Sequence, residues 1–174
     1  MNENQRGAVV WLTGLPASGK STVAAALKRR LLEQGIPCYV IESEEIRKGM
    51  NRHLSFSPED RMENIRRIGY LAAYLADASL IAIVAAISPY RECRQQARSL
   101  VQKGRFFEVH IDTPLSECES RDTKGLYKAA RLGQRTEVTG IDAPYERPET
   151  PDLRIRTTSM SLDHAVTEIL ALLM

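Results

Sequence analysis

Cysteine is scarce and unpatterned in this 174-residue chain: Cys38, Cys93 and Cys118 are odd in number and show no C-x-x-C spacing. Neither a disulfide framework nor a zinc cluster organises such a sequence. No apolar run approaches the roughly 20 residues that a membrane-spanning helix needs. The polar start Met1 to Gly7 leads only into a short apolar strand, which is not the pattern of a signal peptide. A soluble, cytoplasmic protein with no membrane partner is expected. Charge of one sign is also lacking, since the net charge is +2 and no long run of like charges occurs. A nucleic-acid polymer is therefore not an expected partner. Internal repeats, low-complexity tracts and interdomain linkers are absent, so residues 1–174 are expected to form a single domain, long enough for a sheet covered on both faces.

What is present is concentrated first in Gly14-Leu15-Pro16-Ala17-Ser18-Gly19-Lys20-Ser21, which fills the pattern G-x-x-x-x-G-K-[ST]. Ala8 to Thr13 before it reads as a buried strand, and Ser21 to Gln34 after it carries helix-spaced apolar residues. Glycines at both ends let backbone N–H groups turn inward and meet phosphate oxygens at the positive end of the following helix. Gly14 through Thr22 would thus cradle a nucleoside triphosphate. Lys20 would reach the β- and γ-phosphates and the Ser21 hydroxyl would ligate Mg²⁺, so ATP and Mg²⁺ are the expected cofactors.

The next apolar runs place further chemistry. Cys38 to Ile41 forms a short strand ending in Glu42-Ser43-Glu44-Glu45, acids at the edge where open parallel sheets bind ligands. Ser57-Pro58-Glu59-Asp60 starts a helix running to about Ala78, with a capping serine and a proline in the first turn. On it Arg61, Asn64 and Arg67 share a face that either meets an anion or pairs with Glu59, Asp60 and Glu63. Leu80 to Ile87 reads as a central strand buried on both faces. It ends without the aspartate that often organises a metal in phosphate-loop enzymes, which shifts that role to Glu42 and Glu44.

Ser88 sits at the ligand edge, and a helix is expected from about Arg91 to Lys103, then a fourth strand from Arg105 to Ile111. Thr113-Pro114 opens another helix with Cys118 on its inner face. The basic segment from Arg121 through Lys124, Lys128, Arg131 and Arg135 fits a mobile lid of about residues 121–140 that closes over transferring phosphates. Residues 138–148 read as a loop at the site, Leu153 to Arg156 as an edge strand, and Ser161 as the start of a final helix packing the sheet. The fold class expected is α/β, a parallel P-loop NTPase-type sheet flanked by helices, with a basic lid.

The chain also resembles the adenylylsulfate kinase family over nearly its whole length. The resemblance rests on Trp11-Leu12-Thr13-Gly14 with the phosphate loop, Asp60 to Gly69, Ile87-Ser88-Pro89-Tyr90-Arg91, Cys118 to Tyr127, and Thr139 to Glu146. It implies phosphorylation of the 3′-hydroxyl of adenosine 5′-phosphosulfate (APS) by ATP, giving 3′-phosphoadenylyl sulfate in sulfate assimilation. It further implies a homodimer, with association or fusion to ATP sulfurylase as a further partner relation. By position, Arg47, Arg61 and Asn64 would hold APS, Phe56 would stack on its adenine, and Ile87 and Ser88 would line its pocket. Ser88 matches a serine considered as a phosphoryl carrier, while Lys124, Arg121 and Arg131 would meet phosphates. The segment from Pro148 to Thr157 would border the ATP base.

Two departures stand out. The family's usual Asp-Gly-Asp-Asn is Glu42-Ser43-Glu44-Glu45 here, and the second acid is the one expected beside the attacking hydroxyl. A longer arm misplaced by about 1 Å costs about a hundredfold in rate unless the backbone compensates. Val138 replaces an aromatic that would complete the adenine sandwich with Phe56, a loss of about 1–3 kcal/mol. Ala86 replaces a phenylalanine in the same neighbourhood. These changes keep two alternatives open: a paralogous kinase for another nucleotide-like hydroxyl, and a catalytically weak nucleotide-binding module associated with a sulfurylase.

Overall fold

The computed structural model describes residues 7–174; residues 1–6, and with them most of the polar start read above, lie outside the described residues. Five strands form one parallel sheet in the order β2-β3-β1-β4-β5: β1 Ala8–Thr13, β2 Cys38–Glu42, β3 Ile81–Ala85, β4 Phe106–Ile111 and β5 Leu153–Ile155. β1 is buried along all of its length, as are all residues of β3, because both faces of the sheet are covered. That explains their continuous apolar sequences. On one face, α1 (Lys20–Glu33) and α7 (Leu162–Leu173) close a core around Val10, Leu12, Leu27, Ile83 and Ile169. On the other, α3 (Pro58–Asp77) and α4 (Arg91–Ser99) cover Val9, Trp11, Val84, Ile68 and Ala97. Gly69 lets these two helices approach closely, since a Cβ there would stand 3.2 Å from Ala97 Cβ.

β1 leaves the sheet into α1 on one face and β3 leaves it toward α4 on the other. Their carboxyl ends lie side by side, which makes a topological switch point and opens a crevice between them. α3 begins as its sequence requires, with Ser57 Oγ accepting from Asp60 N at 3.2 Å and Pro58 in the first turn.

Three boundaries differ from expectation. Residues 43–48, read as acids at a strand end, form the short helix α2 (Ser43–Lys48), which has only Ile46 to advertise an apolar face. β3 stops at Ala85 rather than Ile87, because the chain turns at Ser88 with a left-handed φ of 42°. α4 ends at Ser99, four residues before Lys103, in a turn where Leu100 N bonds to Ala97 O. Among the described residues, no helix is long and apolar enough to cross a membrane.

Beyond β4 lie α5 (Leu115–Ser120), the helix expected after Thr113-Pro114, and α6 (Leu126–Arg131), which falls within the segment where the basic lid was expected. They enclose a third, smaller core of Leu15, Cys118, Tyr127 and Val138 beneath the phosphate loop. Cys118 is fully buried there.

Candidate active site

The crevice is a single cleft of about 880 Å³ with the phosphate loop on one wall and α2, α3 and the β3 turn on the other. The loop's glycines are required by geometry. A Cβ on Gly14 would lie 2.6 Å from Ile111 O, and Gly19, the residue before α1, has a φ of 106°. No side chain caps α1, so its first N–H groups face the cleft and are free for an anion. Lys20 Nζ is folded back, donating to Gly14 O at 3.0 Å and Leu15 O at 2.6 Å. Burial lowers its pKa to about 8, with the Cys118 thiol and the Glu42 carboxylate pulling the other way. A phosphate arriving at the loop supplies the counter-charge that this ammonium lacks.

Ser21 Oγ donates to Glu42 Oε2 at 3.0 Å. Burial raises the Glu42 pKa, against the bond from Ser21 and the nearby charge of Lys20. Glu44, in the first turn of α2, has the opposite environment. The hydrogen bond from Lys124 Nζ, more than any other contact, holds its carboxyl below the usual range and joins the lid segment to the acceptor wall. Lys48 Nζ stands 3.7 Å away on the same helix. Two neighbouring carboxylates are thus set to different proton affinities by their surroundings.

On the opposite wall Asn64 Nδ2 donates to Ser43 Oγ at 3.1 Å while its Oδ1 accepts from Asn51 Nδ2 at 3.0 Å, so α2 and α3 are locked together. Arg61 donates to Phe56 O at 2.7 Å, to Thr139 Oγ1 at 3.1 Å and to Glu137 O. Arg47 donates to Leu54 O at 3.3 Å and Ser55 O at 2.9 Å. The shared face of α3 splits: Arg61 and Asn64 enter the cleft, while Arg67 turns to Glu63 at 2.6 Å and to Asn51.

Most residues singled out from sequence converge here: Pro16, Ala17, Gly19, Lys20, Ser21, Thr22, Glu42, Glu44, Arg47, Phe56, Arg61, Asn64, Ile87, Ser88, Arg121 and Lys124 all line the cleft. Gly14, Leu15 and Ser18 stand behind it, with the Leu15 side chain in the third core and Ser18 fully buried. Arg131 faces away and pairs with Glu119 at 2.6 Å on the outer surface, because α6 presents that side to solvent. Val138 is 3% exposed in the third core, held there by its backbone N–H on Asp142 Oδ1 at 2.7 Å, and does not face Phe56. Ser88 lines the cleft floor, yet its hydroxyl points inward, accepting from Trp11 Nε1 at 3.1 Å and donating to Thr13 Oγ1 at 2.9 Å. The structure does not present that oxygen as a phosphoryl carrier. From the segment 148–157, Ile155 reaches the cleft together with Thr157.

Sequence reasoning missed an apolar strip of Met160, Leu162 and Ala165 beside the phosphate loop, whose periodicity reads as ordinary helix packing. It also missed Arg94, a fully buried guanidinium that bonds Glu108 Oε1 at 2.6 Å, Ser88 O at 2.6 Å and Glu146 O at 2.7 Å. Arg94 pins the β3 turn from behind, on a helix whose sequence looks solvent-facing throughout.

A parallel sheet with a phosphate loop at its switch point, facing a wall of arginine, asparagine and carboxylates, defines a phosphate-loop phosphotransferase. The family description "Adenylylsulphate kinase" matches residues 6–156, and the chain belongs to that family. It is 47% identical over 165 residues to the adenylyl-sulfate kinase of Staphylococcus carnosus, covering 95% of this chain and 83% of that one. It is 49% identical over 170 residues to the bifunctional enzyme CysN/CysC of Mycobacterium tuberculosis strain H37Rv, covering 97% of this chain and 28% of that protein. The solved structure of the Mycobacterium tuberculosis APS kinase CysC in complex with AMPPNP and APS superposes with a TM-score of 0.92 at 48% identity, over 97% of this chain and 98% of that one.

Proposed function

We propose that this protein is an ATP-dependent adenylylsulfate kinase that transfers the γ-phosphoryl group of ATP to the 3′-hydroxyl of APS. The observation that carries the reading is the facing of two walls across one cleft, the phosphate loop on one and Arg47, Phe56, Arg61 and Asn64 on the other. Family membership supplies the chemistry those walls serve.

In this reading the backbone N–H groups ahead of α1 receive the triphosphate, and Lys20 leaves its carbonyl contacts to meet the β- and γ-phosphates. The Ser21 hydroxyl and Glu42 carboxylate are hard oxygen donors placed together, a set that fits Mg²⁺ held mainly by phosphates and water. Ser21 and Glu42 would hold Mg²⁺ there, and its charge would offset that of the transferring phosphates. The acceptor oxygen bonds to the γ-phosphorus as the bridge to the β-phosphate breaks, and ADP leaves. Glu44, ionised in its contact with Lys124, takes the hydroxyl proton, and Lys124 and Arg121 gather the charge that develops in transfer. No enzyme-bound phosphoryl group is required.

A cytoplasmic location, a homodimer and an association with ATP sulfurylase accompany this reading; the bifunctional Mycobacterium tuberculosis relative supports the last. The test is turnover of ATP and APS by the purified chain, with 3′-phosphoadenylyl sulfate followed directly. APS-dependent product is expected, and Glu44→Gln is expected to slow it by about 10²- to 10⁴-fold. Hydrolysis of ATP with no phosphorylated APS would overturn the assignment.

A further inference from the structure

Phe56 is a large apolar ring left 43% exposed inside a cleft that is otherwise rich in charge. Three guanidinium groups surround it, with their central carbons 4.6 Å (Arg47), 5.4 Å (Arg61) and 5.7 Å (Arg135) from the ring centroid. The three are not equivalent. Arg47 and Arg61 are committed to backbone carbonyls and Thr139, as described above. Arg135 is exposed and, among the described residues, is held by the Phe56 ring alone.

The backbone around Arg135 is nevertheless fixed on both sides. Gln134 N bonds to Ala129 O at 2.9 Å, and Glu137 N bonds to Asp142 Oδ2 at 2.8 Å. Arg135 is therefore delivered to the ring by an anchored segment while its side chain stays free to swing. A planar group entering over Phe56 needs the two walls about 7 Å apart, twice a contact distance of about 3.5 Å. Only the Arg135 wall can part by that amount without breaking hydrogen bonds. Guanidinium planes stack on nucleobases much as aromatic rings do, and they add attraction for an anionic ligand.

We propose that Arg135 is a specificity-determining residue of the acceptor site, its guanidinium forming the second face of a slot in which Phe56 grips the planar base of a nucleotide acceptor. The proposal rests on the APS kinase reading for the identity of that acceptor. The slot's second face is then cationic and hinged from the lid, so acceptor capture and lid position are one event.

The experiment measures APS binding by calorimetry alongside steady-state kinetics, for the wild type and for Arg135→Ala, Arg135→Phe and Arg135→Lys. Stacking on a base changes affinity by about tenfold when one wall is truncated. Arg135→Ala is expected to raise the dissociation constant and KM for APS by about that factor, with KM for ATP moving less than about twofold. Arg135→Phe restores a flat wall and recovers APS affinity, whereas Arg135→Lys keeps the charge without the plane and does not. An alanine variant that binds APS as the wild type does overturns the proposal, as does rescue by lysine and not by phenylalanine. Wild-type protein that binds APS but does not phosphorylate it would sink the kinase reading alone and leave the slot to be judged by the binding series; wild-type protein that does not bind APS overturns both.

Discussion

Ser88 separates a reacting residue from one that positions. Its hydroxyl is spent on Trp11 and Thr13, its carbonyl on Arg94, and its φ of 42° turns the chain out of β3. Removing the hydroxyl strands the Trp11 indole N–H in a buried site, which costs about 1–3 kcal/mol. Ser88→Ala is therefore expected to lose stability of that order in urea unfolding while phosphorylating APS within about tenfold of the wild-type rate. A loss of several orders of magnitude with an intact fold would restore the carrier role. Motif position put Ser88 at the cleft, which is where it lies. The direction of its side chain depended on two residues from β1, some 75 positions away, and no local pattern encodes that.

At the scale of elements, the segment 121–140 packs on Leu15 of the phosphate loop and, among the described residues, hydrogen-bonds to that loop through one side chain. Tyr127, 2% exposed in α6, donates from its hydroxyl to Pro16 O at 2.9 Å, and the buried phenol is pushed well above its usual pKa by desolvation. Tyr127→Phe keeps the packing of the third core and deletes that bond, which costs about 1 kcal/mol. The expected readout is local: amide exchange across 126–131 speeds up by about fivefold, while β1 and α1 keep wild-type protection. Uniform exchange changes would show that the lid is not a separate unit. Elements with a strong period or a cap were legible in the sequence. The phosphate loop with its flanking strand and helix, the Ser57 cap of α3 and the Ser161 cap of α7 each satisfy a local rule. α2 was not legible, because six mostly charged residues carry no period. Val138 was placed at the cleft because the family carries a stacking aromatic at that position, but burial under Leu15 and Tyr127 satisfies an aliphatic side chain better than exposure beside Phe56.

For the whole molecule, the acid limit of the fold should be set in part by His110. It lies in β4, 2% exposed, with Nδ1 the one buried side-chain polar atom left unpaired among the described residues. Burial lowers its pKa from 6.5 to about 4; Asp112 opposes that shift, and Arg154, Arg147 and Arg94 add to it. The Tyr145 ring packs against it at 6.0 Å. Below the unfolded pKa the unfolded chain takes up a proton that the folded chain refuses, so stability falls as pH drops from 6.5 toward 4. The slope from this residue is about 1.4 kcal/mol per pH unit. Denaturant midpoints measured across that window should fall for the wild type and fall less for His110→Leu; parallel slopes would show that the histidine titrates normally.

Strand order carries a consequence for synthesis of the chain. β1, the fully buried strand that holds up the phosphate loop, has as its two partners β3, ending at residue 85, and β4, ending at residue 111. During translation it has no partner until residue 85 has emerged, and one of its edges stays open until residue 111 has. The strand that carries the phosphate loop is thus made well before the two strands that hold it in place. Truncated products released before β4 would leave one edge of that buried strand unpaired, a template for pairing with other chains.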